Sequence, residues 1–316
     1  MPKQKPNYGG QALIEGVMFA GKKTTISAIR RKDGTIEYFK IEKKEKPWVQ
    51  KLKKIPFIRG IAGLFDSLGT GTEHLNHSAD LYEEDHETKE KKQKKAQQEK
   101  KNNWVMILGV GVLAVISFLF VKLIFTLVPV FIANLFSNSI SGHVGQIVLE
   151  SLIKFLFLLL YLYAISYTPL VKRVFQYHGA EHKVINCYEH NMDLTIENVQ
   201  KQSRLHYRCG SSFILFTVFV GLFVYLFFPT EPLWLRVLTR ILLIPVVLGI
   251  SYEVLQLTNR LQNIKILNWI ALPGLYLQKL TTKEPADEQV EVAIASFQKL
   301  LETEATQNSA RQSAKL

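Results

Sequence analysis

Cysteine is nearly absent from this 316-residue chain, which has only Cys187 and Cys209. That excludes a disulfide framework and leaves both as free thiols or metal ligands. A cleavable signal peptide is not expected, because residues 1–10 are polar and no early apolar run follows. A net charge of +12 raises the question of nucleic acid. No aromatic-interleaved basic motif or recognisable nucleic-acid fold is present, however, so no specific nucleic-acid partner is expected. Contact with anionic lipid accounts for the charge more simply. No internal repeat stands out.

The apolar residues, 47% of the chain, gather into four runs at 104–136, 144–167, 212–228 and 233–254. Each can cross a hydrocarbon core about 30 Å thick, which takes roughly 17–25 helical residues. The first is longer than required and is expected to tilt or to end near Pro129. Four spans put both termini on one side. The loop at 137–145 has no Lys or Arg, and the loop at 229–233 has only Glu231 as a charged residue. Residues 168–210 carry Lys172, Arg173, Lys183, Lys201, Arg204 and Arg208, and residues 1–103 are rich in Lys. The positive-inside rule therefore makes the termini and residues 168–210 cytoplasmic, where thiols stay reduced. The expected fold class is a mostly α-helical multi-pass membrane protein of the cell membrane with about four transmembrane helices. The lipid bilayer is its expected surrounding.

Residues 1–82 read as an N-terminal cytoplasmic module. Its β-hairpin has strands at 24–31 and 35–41 joined at Asp33-Gly34, a pair suited to a tight turn. The Gly-rich run 9–18 reads as a loop and short strand packed on that hairpin, with Glu15 solvated or facing a site. Residues 55–79 then place Ile58, Ile61, Ala62, Phe65 and Leu68 near helical spacing, as in a membrane-surface or partly embedded amphipathic helix. His74 and His77 are expected to be ordinary polar-face histidines. Residues 83–103 form a charged linker that cannot build a core. The chain continues as a first transmembrane hairpin (104–167), a cytoplasmic loop (168–210) and a second hairpin (211–255). An interfacial segment and amphipathic helix occupy 256–303, with a disordered tail at 304–316. Within 256–303, the broken apolar pattern of 261–280 suits an interfacial hairpin or a re-entrant segment. The final helix carries Val290, Ala293, Ile294, Phe297, Leu300 and Leu301 on one face.

The chemistry concentrates in Tyr177-His178-Gly179-Ala180-Glu181-His182-Lys183. Residues four apart share a helical face, so His178 and His182 can hold one ion while Glu181 reaches its open position. The order H-x-x-E-H is the inverted zinc-protease pattern. His206-Tyr207-Arg208-Cys209 returns to the same membrane side just before the third run. Two arrangements follow. A structural site would be closed by His178, His182, His206 and Cys209, with Glu181 incidental. A catalytic site would keep three ligands, with Glu181 as general base toward water at the fourth position. Thiolate from Cys209 favours zinc; a carboxylate such as Glu189 as third ligand would suit zinc, iron or manganese. Ionisable residues in or beside the apolar runs are costly unless paired or hydrated. Arg236 and Glu231 are expected at the outer interface, Glu253 near the metal motif, and Lys122 snorkelling. A transporter is the weaker reading, since intramembrane charges are few and no paired broken-helix repeat is evident.

The run Gly9-Gly10-Gln11-Ala12-Leu13-Ile14-Glu15-Gly16-Val17-Met18, the two motifs above and Leu272-Pro273-Gly274-Leu275-Tyr276-Leu277-Gln278-Lys279-Leu280-Thr281 occur together. In that order the four motifs resemble the YqhQ family, bacterial membrane proteins described as predicted metal-dependent enzymes. The resemblance runs from about Tyr8 to about Leu301. It implies a divalent-metal site, zinc above all, at His178, His182, His206 and Cys209. Glu181 would be the catalytic residue, with Glu15 and Arg208 as supporting or substrate-contacting candidates; Glu253 joins them only through its position near the cytoplasmic end of the fourth run. No substrate comes with the resemblance; the motif order of H-x-x-E-H points to hydrolysis, expected on a lipid-linked, peptide or membrane-associated substrate, and the alternative is a scaffold or assembly factor held by structural zinc. Tyr207 departs from the family pattern, which places Pro between the His and the Arg and so restricts the backbone there.

Overall fold

A computed structural model of the chain describes residues 8–43, 47–86, 120–121, 123–140, 142–261 and 272–313. Four strands open it: β1 (Gly9–Leu13), β2 (Gly16–Ala20), β3 (Thr24–Arg30) and β4 (Ile36–Glu42). They pair antiparallel in chain order, so the sequence-predicted hairpin is the second half of a four-stranded meander. Asp33 Oδ1 accepts from the Thr35 amide at 2.9 Å, and Gly34 takes φ +88°, which fixes the β3–β4 turn. The glycine-rich run is itself β1 and β2, joined at Ile14-Glu15 with Glu15 at φ +53°.

Side chains alternate across this sheet with the strand period of two. Val17, Phe19, Ile26 and Ala28 face the main core, whereas Leu13, Met18 and Ile29 join Leu81 on the other side. The first face is covered by α5 (Pro169–Glu189) and α11 (Asp287–Ser313) through Tyr177, Ala180, Val184, Val290, Ala293, Phe297 and Leu300. The apolar face expected on the last helix is thus in the core, and the helix runs on to Ser313 rather than ending near residue 304. The second face is covered by α2 (Ile58–His86), which follows the short α1 (Pro47–Leu52). His74 on α2 is fully buried against the polar side chains of β3: Ser27 Oγ lies 2.8 Å from its Nδ1 and Thr25 Oγ1 2.9 Å from its Nε2. It is a core histidine, not a solvated one.

The apolar half contains α3 (Leu123–Leu135), α4 (His143–Ile165), α7 (Gly210–Tyr225), α8 (Leu233–Leu242), α9 (Ile244–Leu261) and α10 (Leu272–Thr281). Helix α7 packs against α4, α9 and α10. Among the described residues, α4 is one helix long and apolar enough to cross a membrane, with mean hydropathy 2.0. The α8–α9 pair, bent by 50°, makes a second if read as one broken span. Helices α3 and α7 are apolar but shorter. Most of the first expected run, Lys122 and residues 262–271 lie outside the described residues, as does most of the charged linker. Val148, Leu152, Leu156, Leu160, Phe223, Trp234 and Leu242 are exposed.

Arg236, expected at the outer interface, is enclosed by protein. It and Arg240 are fully buried, and both donate to Glu150 of α4. Gln146 accepts a further bond from Arg236 at 2.9 Å, and Arg240 lies over the Tyr225 ring at 4.2 Å. One carboxylate thus holds two guanidinium groups at the junction of α4 and the broken pair.

Candidate metal centre

Helix α5 begins at Pro169 after the extended Thr168 and ends where Asn191 takes φ +59°. Pro at the first position and Asn just past the end are the residues those backbone conformations favour. Along it His178 and His182 stack on one face, their rings 4.4 Å apart. The short α6 (Ile196–Gln200) turns the chain, and Cys209 becomes the N-cap of α7, accepting from the Ser211 amide at 3.4 Å. These elements bring His178, His182 and Cys209 together, with one donor atom from each within 4.8 Å of the others.

The ring orientations are set by backbone oxygens. His178 Nδ1 lies 2.8 Å from the Thr281 carbonyl and His182 Nδ1 lies 2.7 Å from the Arg204 carbonyl. A carbonyl only accepts, so each Nδ1 carries its proton toward it and each Nε2 is the nitrogen left to meet an ion. His178 Nε2 lies 3.2 Å from Cys209 Sγ. Tetrahedral zinc ligands stand about 3.4–3.6 Å apart, close to this separation, and all three donors lie within 4.8 Å of one another. A Cys and two His suit zinc chemically, and the donor set fits the group that the family resemblance implies.

Without an ion these groups polarise one another. Burial would raise the Cys209 thiol, but the imidazoles of His178 and His182 hold it well below the usual thiol range. Burial opposes the charged form of His178, yet the Cys209 thiolate and Glu181 hold it up at about 9. Glu181 is 5% exposed, and burial pushes its carboxyl up against the pull of His178 and His182. Its carboxylate has no hydrogen-bond partner among the described residues. It rests instead against Gly10 of β1.

The other expected site residues go elsewhere. The His206 ring lies 5.7 Å from that of His182, but its Nε2 faces Glu189 Oε2 at 3.4 Å, so it is not among the three converging donors. Arg208 also pairs with Glu189. Glu189, considered above as a ligand, therefore pairs with Arg208 and faces the His206 ring. Burial alone would raise its carboxyl, but His206 and Arg208 hold it below the usual range. Glu15 receives both Arg173, through Nε at 2.5 Å and through Nη2, and Tyr177 Oη at 3.2 Å. It supports α5 from its far side. Glu253 holds Arg59 and the Phe57 amide of the α2 entry.

Three positioning groups escaped the sequence reading. The carbonyls of Thr281 and Arg204 leave no side-chain signal, because any residue type supplies one. Gly179 does have a signal, being a glycine inside a helix. A Cβ there would run into the Lys283 carbonyl, whose own amide donates to Phe175 O at 2.9 Å. The close approach of residues 281–283 to α5 therefore requires glycine.

The chain is 59% identical over 304 residues to the uncharacterized protein YqhQ of Bacillus subtilis (strain 168), covering 96% of this chain and 95% of the relative. No solved structure matches it. The family described as Protein of unknown function (DUF1385) matches residues 55–303, a stretch that includes α5, Cys209 and α10, and the chain belongs to that family.

Proposed function

We propose that the chain is a multi-pass membrane protein, with cytoplasmic termini, that binds a divalent metal at His178, His182 and Cys209 and uses Glu181 as an acid–base group in hydrolysis. The observation that carries this reading is the pair of Nδ1–carbonyl bonds, which leaves both Nε2 atoms as the ligand positions beside one cysteine sulfur. A bound zinc ion would supply Lewis acidity and a water of lowered pKa. Glu181, buried and without a hydrogen-bond partner among the described residues, accepts a proton from water and returns it to the leaving group. The apolar surface, the candidate spans and the charge asymmetry support a lipid-linked or membrane-associated substrate.

Near-complete burial favours a second reading, a structural metal within a scaffold or assembly factor: His182 is 1% exposed, Cys209 5% and Glu181 5%. Metal-loaded protein in detergent, assayed against ester and peptide substrates in lipid micelles, separates the two. With Glu181 as acid–base group, Glu181→Gln keeps its metal and loses at least about 100-fold in turnover. With a structural ion, Glu181→Gln is silent, and Cys209→Ser lowers the melting temperature through metal loss.

A further inference from the structure

The entry to α2 is built around a backbone that resists its residue. Phe57 takes φ +65°, a conformation costly for a bulky side chain unless its surroundings enforce it. Its amide donates to Glu253 Oε1 at 3.0 Å, and the same carboxylate receives Arg59. A Cβ on Gly249 would stand 2.9 Å from the Phe57 carbonyl, so the turn lies directly on the backbone of α9. Fixed in this way, Phe57 and Ile61 wall one side of a groove of about 400 Å³ whose other side is Pro245, Val246, Gly249 and Ile250. Every lining residue is apolar. Ile55, Phe57, Ile58 and Val246 are exposed around it, and the same turn exposes Lys51, Lys53 and Lys54.

A water-filled groove with such walls would waste its apolar surface, and three exposed lysines three to six residues before Phe57 select negative charge. We infer that residues 51–61 and the first turns of α9 bind one anionic phospholipid, its headgroup on the lysines and one acyl chain in the groove. The inference rests on the reading of α8–α9 as a lipid-facing span. It also gives the Glu253–Arg59 pair its purpose, which is to hold Phe57 against the chain of the lipid.

The test is native mass spectrometry of the full-length protein, delipidated in detergent and titrated with phosphatidylglycerol or with phosphatidylcholine of the same chains. One phosphatidylglycerol binds at least about tenfold more tightly than phosphatidylcholine in the expected result. Lys51→Gln, Lys53→Gln and Lys54→Gln together abolish that preference at unchanged melting temperature. Val246→Trp, which fills the groove, lowers binding of both lipids. Equal binding of the two lipids, an unchanged preference in the triple variant, or a protein dimer closing this face would overturn the proposal. Extraction of the native protein from membranes by alkaline carbonate is a separate result, which would sink the span reading and the lipid site with it.

Discussion

Gly10 and Glu181 are in contact across the interface between β1 and α5, so that a Cβ on Gly10 would stand 2.7 Å from Glu181 Oε1. The N-terminal strand is therefore a wall of the candidate centre. The atoms in the way belong to the end of a flexible side chain, which can swing aside. Gly10→Ala should cost only about 1 kcal/mol, the low end of overpacking. It should keep the metal ligands intact while displacing the carboxylate. Thermal unfolding with metal content checks this; loss of metal would show that Gly10 acts on the ligands themselves.

Gly179 makes the opposite case, because the obstacle there is the Lys283 backbone. Gly179→Ala should destabilise by roughly 3 kcal/mol, the upper range for overpacking. It should also weaken metal binding, since Thr281, two residues away from Lys283, orients His178. A melting temperature and zinc affinity both near wild type would contradict the close approach.

His74 gives stability an acid-side dependence. Burial, with His77 nearby, lowers it from 6.5 to about 4. The facing groups are Ser27 and Thr25 of β3, and Phe39 packs at its edge; Glu37 of β4 faces His77 rather than His74. Between those two pH values the unfolded chain binds a proton that the folded chain does not. Stability is full above pH 6.5 and is lost as pH falls toward 4, by up to ~3 kcal/mol. Unfolding measured from pH 7 to 4 should show a shallower loss in His74→Gln; an identical loss would exclude His74 as its source.

The Glu150 carboxylate is the shared counter-charge of two fully buried guanidinium groups. Removing one partner of a buried ion pair strands the other, at roughly 3–5 kcal/mol. Glu150→Ala should therefore unfold the apolar half early in detergent, while Glu231→Ala, exposed in the α7–α8 loop, should change little. Equal melting curves for the two variants would contradict the cluster.

What the sequence made legible was local. Asp33-Gly34 and alternating side chains mark the β3–β4 hairpin, and the four-residue spacing of His178 and His182 marks one helical face. The glycines of β1 and β2 left one of these two strands unread, because their meaning lies in the contacts Gly10 and Gly16 make with distant chain. His206 was expected as a ligand from proximity in sequence, but Glu189 at the end of α5 draws its Nε2 away. Glu253 and Arg236 have partners that depth along a helix does not reveal. Each is positioned by a partner 86 or more residues distant, Glu150 for Arg236 and Arg59 for Glu253.

The metal itself is the most direct test. Elemental analysis of full-length protein, purified without chelators and alongside its variants, should find about one zinc per chain. Zinc should be lost in His178→Ala, His182→Ala and Cys209→Ser, and retained in Glu181→Gln and His206→Ala. Folded wild-type protein that neither carries nor takes up a divalent metal, or a metal content indifferent to Cys209→Ser, would contradict the account.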